Sequence, residues 1–179
     1  PARTPPAHAA RVGLSLADAP GPDIELVGFW LGLVRVFPAR EYAQRMGYLG
    51  PDLLAEHFDA GEAVARIEAR PDLELGRALL DQRNLAGIGN EYRAGVSFLA
   101  GSHPAQRVGD VAGERRVLVA WRLMWSNRNS PVRVTTGVKR AGETSYVFGR
   151  NKKPCRRCGG LVETGFLGGQ GGGERGSGW

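Results

Sequence analysis

The stretch NLAGIGNEYRAG, Asn84–Gly95, decides how the rest of the chain is read. It joins an apolar, helix-spaced segment ending in Leu79 and Leu80 to another carrying Tyr92, Val96 and Leu99. Two helices joined by a short glycine-bearing turn form a helix–turn–helix-like unit. Gly87 and Gly89 give that turn backbone freedom and let a ligand come close to main-chain N–H groups. The second helix is predicted to begin at about Gly89-Asn90, which sets its free N–H groups and positive dipole end beside the turn. An anion such as a DNA phosphate fits there, with Asn90 adding an amide donor. From the turn alone, a tight helix pair with Asn90 as N-cap explains the same residues equally well.

Working outward, residues 53–58 carry Leu53, Leu54 and Phe58 at helical spacing with Asp52 near the start. Gly61 to Glu68 predicts a second short helix with Val64 and Ile67 on one face, and Pro71-Asp72 announces the helix of Leu75, Leu79 and Leu80. Beyond Gly101, VAGERRVLVAWRLMWSNRNSP predicts a longer helix with Val117, Trp121, Met124 and Trp125 as its inward stripe, stopped by Pro131. Upstream, RVGLSL, IELVGFW and LGLVRVFP read as three strands, too few to close a sheet alone. The fold class is therefore α+β.

Charge divides unevenly along the 179 residues. Residues 1–114 hold eleven Lys/Arg against fifteen Asp/Glu, whereas residues 115–157 hold twelve Lys/Arg against Glu143 alone. A block with one acid among so many bases is the footprint expected for a phosphate backbone. No run of 18 or more apolar residues occurs, so no membrane partner is expected. PARTPPAHAARVGLSL lacks the apolar core of a secretory signal, and a cytoplasmic setting follows as the expectation. The two cysteines, Cys155 and Cys158, sit in KKPCRRCGG, which reads as half of a zinc ribbon. His8, His57 and His103 are scattered far from them. A redox pair is the rival reading, without a thioredoxin-like context around it.

Taken whole, LLDQRNLAGIGNEYRAGVSFLAGSHP closely resembles the helix–two-turn–helix signature of the formamidopyrimidine-DNA glycosylase/endonuclease VIII family. VFGRNKKPCRRCGG is similar to that family's lead into its C-terminal zinc finger. GPDLL, PAHAARVGLSL and VGFWLGLVRVF are similar to the later half of its N-terminal β-sandwich. The flavour is that of the endonuclease VIII-like branch found in actinobacteria. The resemblance implies a partial β-sandwich over residues 1–40, a helical helix–two-turn–helix DNA-binding domain over 41–145, and an incomplete zinc finger over 146–179. It implies a bacterial, nucleoid-associated monomer that repairs DNA by base excision on double-stranded DNA carrying a damaged base or abasic site.

The resemblance also assigns residues. Asn90, beside Gly89, falls where the family binds phosphate next to the damaged nucleotide, and the basic run Arg150, Lys152, Lys153, Arg156 and Arg157 lies along the finger. Cys155 and Cys158 would hold zinc. Arg175 has the spacing of the family's phosphate-holding finger arginine if the next residue after Trp179 were Cys. Family enzymes start with Pro-Glu: the proline amine attacks C1′, the base is expelled, and elimination from the iminium cuts the strand. An N-terminal amine titrates near neutrality and so suits this step. Pro1 is followed here by Ala2 and Arg3, and the first acid is Asp18. No catalytic residue is therefore assigned, and the chain reads as a fragment or truncated relative that binds DNA without chemistry. A non-catalytic DNA-binding relative and a small enzyme using Pro1 are the two alternatives.

Overall fold

The computed structural model describes residues 6–16, 24–165, 167 and 177–178. They mix strands and helices, in two compact units, residues 1–45 and 46–179. In the first unit, β1 (Ala10–Leu16) pairs antiparallel with β2 (Ile24–Phe29), in register Leu14↔Leu26 with a bulge between Ala10 and Val12. Side chains alternate across a strand, so Leu14, Leu26 and Ile24 share one face while Ser15 and Glu25 share the other. That apolar face is open: Leu14 is 59% exposed, Leu26 58% and Ile24 47%.

The third expected strand, LGLVRVFP, is not one. Residues 31–38 carry no regular structure, and Val36 is 95% exposed. The β-rich composition is real, but a strand exists only through a ladder partner, and none among the described residues pairs with this segment. α1 (Tyr42–Met46) follows, where Arg45, the last residue of the unit, pairs with Glu41 and lies 5.5 Å over the Phe37 ring.

The second unit is built on helices. α2 (Ala60–Glu68) opens on Asp59, whose carboxylate accepts the Glu62 N–H at 2.8 Å. α3 (Leu75–Leu80), α4 (Asn90–Ala100) and α5 (Gly113–Asn127) complete it. Leu53, Ile67, Leu75, Leu79, Leu85, Val96, Val108 and Val117 are fully buried together as the main core. On α5 the stripe is as expected at Val117, while Trp121 and Met124 are half-buried against that core. The helix ends at Asn127, whose side chain bridges the Leu123 carbonyl and Val134 N–H, four residues before Pro131.

Residues 53–58 differ from expectation: they form turns, not a helix. Asp52 spends its carboxylate on the Leu54 N–H (2.9 Å), and the chain is drawn out to pair with the two-turn segment. Gly50 N–H donates to the Gln82 carbonyl (2.8 Å), Ala86 N–H to Pro51, and Leu53 N–H to Ala86. The backbones come so close that a Cβ on Gly50 would lie 2.5–2.7 Å from main-chain atoms of Arg83 and Asn84.

A smaller core joins Ala94 of α4 to Val147, Cys155 and Val162, with Phe98, Tyr146 and Phe148 against it. It seats the cysteine knuckle on the outer face of α4. Farther on, β3 (Thr164–Gly165) pairs with β4 (Ser177–Gly178), and Leu167 is buried where it would meet a Cβ on Gly76. Among the described residues, no helix is long and apolar enough to cross a membrane.

Gly50→Ala is expected to cost about 1–3 kcal/mol, since only backbone movement relieves the clash. Gly89→Ala is expected to be neutral: its φ of −116° suits any residue, and nothing lies within 4 Å of the added Cβ. Urea unfolding of the two variants beside the parent protein measures both.

Candidate nucleic-acid interface

The turn between α3 and α4 is held by its own polar side chains. Asp81 accepts the Arg83 N–H (3.0 Å) and pairs with Arg70 (2.9 Å), and Asn84 donates to the Ala78 carbonyl (3.0 Å). Gln82 donates to the Leu80 and Ile88 carbonyls (3.0 and 2.9 Å) and accepts the Gly87 N–H (2.9 Å). Gly87 sits at φ +106°, a conformation other residues adopt only under strain.

α4 then starts on Gly89. Its first helical hydrogen bond runs from Arg93 N–H to the Gly89 carbonyl (2.9 Å), and no side chain caps the N–H groups ahead of it. α2, by contrast, is closed by Asp59. Asn90 is exposed, and its amide has no partner among the described residues. The open end faces a cavity of about 510 Å³ lined by Gly87 to Tyr92, Met124, Arg133 and Phe148. Glu91, in the first turn, is largely covered and pairs with the exposed Arg133 at 3.7 Å, which offsets its charge at the cavity mouth. Burial, then the Glu91 carboxylate, raises the Tyr92 phenol above its ordinary range, so it is neutral around pH 7.

The basic run divides by employment. Arg150 donates to the Pro154 carbonyl (2.7 Å) within the knuckle. Arg156 reaches back to the Gly142 and Ser145 carbonyls. Arg157 lies 4.4 Å over Phe98, which stacks on Tyr146 at 4.8 Å. Lys152 and Lys153 point into solvent with no side-chain partner among the described residues. Arg175 lies outside the described residues. Arg133, Gln82 and Phe148 were not singled out from sequence, and Met124 was read there as core alone. Arg133 does belong to the basic block, whereas a glutamine after an apolar helix carries no local signal.

The knuckle turns at Cys155: Cys155 N–H donates to Gly160, Gly159 N–H returns to Cys155, and Lys152 takes the left-handed conformation at φ +59°. The Arg157 N–H reaches the Cys155 sulfur at 3.4 Å. Backbone N–H bonds, first from Arg157 and then from Cys158, hold the Cys155 thiol below its usual range despite its burial, and the Arg157 charge acts the same way. A thiolate so favoured suits a metal. Cys158 is exposed, and the two thiols are free. They fit two of the four ligands of a structural zinc. No group of three or more His, Cys, Asp or Glu is placed to hold a metal ion among the described residues.

No protein-family model matches the chain. It is 41% identical over 157 residues, 86% of its length, to a probable endonuclease 8 2 of Streptomyces coelicolor, covering 54% of that protein. It is 42% identical over 156 residues to endonuclease 8 2 of Mycobacterium tuberculosis, covering 61%. A DNA-(apurinic or apyrimidinic site) lyase Nei2 of Mycolicibacterium smegmatis matches at 38% over 158 residues, again with 61% of its length covered. The chain thus spans between half and two thirds of these relatives. In fold it is similar to MutM in complex with DNA containing carbocyclic 8-oxo-G (TM-score 0.64, 20% identity, 79% of this chain and 52% of that one). It is also similar to Lactococcus lactis Fpg bound to abasic-site DNA (TM-score 0.62, 19% identity, 79% and 53%). The chain belongs to the formamidopyrimidine-DNA glycosylase/endonuclease VIII family.

Proposed function

We propose that this chain grips double-stranded DNA at a damaged or abasic nucleotide as part of base-excision repair. The observation that carries the proposal is the start of α4, uncapped among the described residues, with an Asn90 amide that has no partner among them on a 510 Å³ cavity. A phosphate there meets main-chain N–H groups, the helix dipole and a neutral amide together. Lys152 and Lys153 supply unengaged charge for neighbouring phosphates. Arg150, Arg156 and Arg157 hold the knuckle in shape while adding to the field, and Arg175 joins the phosphate-binding set by resemblance. The solved Lactococcus lactis relative in complex with abasic-site DNA supports this choice of partner.

On this reading, residues 1–40 are the later strands of the family's β-sandwich, 41–145 the helix–two-turn–helix domain and 146–179 zinc-finger sequence. The exposed apolar face of β1 and β2 agrees with strands built to be covered. Cys155 and Cys158 would hold zinc, which would stiffen the finger. The chain acts as a monomer in the bacterial cytoplasm.

Base release and strand cleavage in this family rest on a Pro-Glu start, and no Pro-Glu dipeptide occurs in these 179 residues. The proposed role of this sequence is therefore to hold the DNA on which glycosylase and abasic-site lyase chemistry operates. Borohydride trapping on an abasic duplex is expected to give no covalent adduct, alongside a salt-sensitive gel shift. An adduct would instead identify a working amine in the chain and overturn the non-catalytic reading.

Asn90→Ala is expected to weaken binding to an abasic duplex by about 1.5–3 kcal/mol, the worth of a hydrogen bond to a charged group. The salt dependence should change little, because a neutral amide releases no counterion. Lys152→Ala and Lys153→Ala should each lower the slope of log affinity against log salt by about 0.9. Fluorescence anisotropy across a salt series checks all three, and equal slopes for the lysine variants and the parent would remove the lysines from the interface.

A further inference from the structure

We infer that Gln82 is a positioning residue for phosphate binding, acting by aiming the Gly89 N–H into the cavity. The inference rests on the reading of the α4 start as a phosphate site. From just past α3, Gln82 reaches across to residues 87–88: its amide nitrogen holds the Ile88 carbonyl at 2.9 Å and its oxygen takes the Gly87 N–H at 2.9 Å. The Ile88 carbonyl and the Gly89 N–H belong to one peptide unit, which is trans here and, like peptide units generally, close to planar. In such a unit the two dipoles point in opposite directions. Fixing the carbonyl on Gln82 therefore turns the Gly89 N–H away from Gln82, and it has no hydrogen-bond partner among the described residues. Gly89 lines the cavity, and nothing lies within 4 Å of a would-be Cβ on it, so the backbone there is open to a ligand on that side.

The same side chain consumes one donor and frees another. Gly87 N–H, which would compete for an anion, is tied to the Gln82 oxygen, while Gly89 N–H is presented beside Asn90. A second anchor keeps Gln82 from turning: its nitrogen also donates to Leu80 at 3.0 Å, and its own carbonyl accepts Gly50 N–H at 2.8 Å. The ligand class is a phosphodiester, since a single anionic oxygen can accept from Gly89 N–H and the Asn90 amide together.

The test uses Gln82→Met, which keeps the shape and removes all three bonds. Gln82→Glu keeps the acceptor for Gly87 N–H but cannot donate to Ile88 when ionised. Asn90→Ala runs in parallel. Affinity for an abasic duplex is measured at a temperature where circular dichroism shows each variant folded, and the Gly89 amide resonance is followed during the titration. Gln82→Met is expected to bind about tenfold more weakly, with the Gly89 resonance no longer shifting on DNA addition. Gln82→Glu is expected to lose affinity as well although Gly87 stays bonded. If Gln82→Met does not fold, the same reading is taken from Gln82→Glu. A lowered melting temperature with parental affinity and a parental Gly89 shift, while Asn90→Ala binds weakly, overturns the role of Gln82 alone. Parental affinity in Asn90→Ala and no Gly89 shift in the parent protein overturn the site and the inference with it.

Discussion

Everything distinctive in the second unit depends on α4 being packed on two sides. Tyr92 and Val96 face the main core, while Ala94 and Phe98 face the smaller core that carries the cysteine knuckle. A helix buried so widely needs small residues where neighbours come close. Gly95 is such a place, since a Cβ there would lie 2.6 Å from the Thr135 methyl. Only the ends of α4 are left for solvent. Gly101 closes the C-terminal end in the left-handed conformation at φ +70°, a usual helix stop. The N-terminal end is the part held rigid by both cores and yet left open.

The two-turn segment is rigid for a different reason. Its polar side chains are spent on the backbone: Asp81 on Arg83, Asn84 on Ala78, Gln82 on both turns. Residues 50–53 then lie against it through main-chain bonds at Gly50, Leu53 and Ala86. Such hydrogen bonds contribute about 1 kcal/mol each in net terms, but leaving these buried groups unpaired costs more. The consequence is geometric: peptide planes whose orientation in a loop is normally loose are set here, and preorganised donors bind an anion without first having to be ordered.

The helices around Asn84–Gly95 were legible because an apolar period of 3.6 with Gly87, Gly89 and Gly101 as punctuation states where helices begin and stop. The α4 start and the stripe on α5 were read from such local signals. Residues 53–58 misled because Leu53, Leu54 and Phe58 keep helical spacing while Asp52 and Gly50 commit the backbone to a partner more than thirty positions away, a pairing no local window contains. Residues 31–38 misled in the opposite sense, since β propensity describes what fits a sheet and not whether one is there. At the site, Asn90 and the basic run were visible as residue types. Which cations are engaged was not, because Arg156 and Arg157 meet carbonyls and rings brought together only by the fold.

Gly87 and Gly89 look interchangeable in the sequence, but they answer to different constraints. Gly50 and Gly87 are required by the chain itself, through close backbone approach and a left-handed φ. None of the described residues requires Gly89 to lack a side chain. A thermostabilisation campaign scored on folding alone would accept larger residues at position 89, since the unfolded-state gain offsets the loss of glycine at a helix start. Such a library would come to include proteins with the cavity mouth filled, and melting temperature would give no sign of what had been lost.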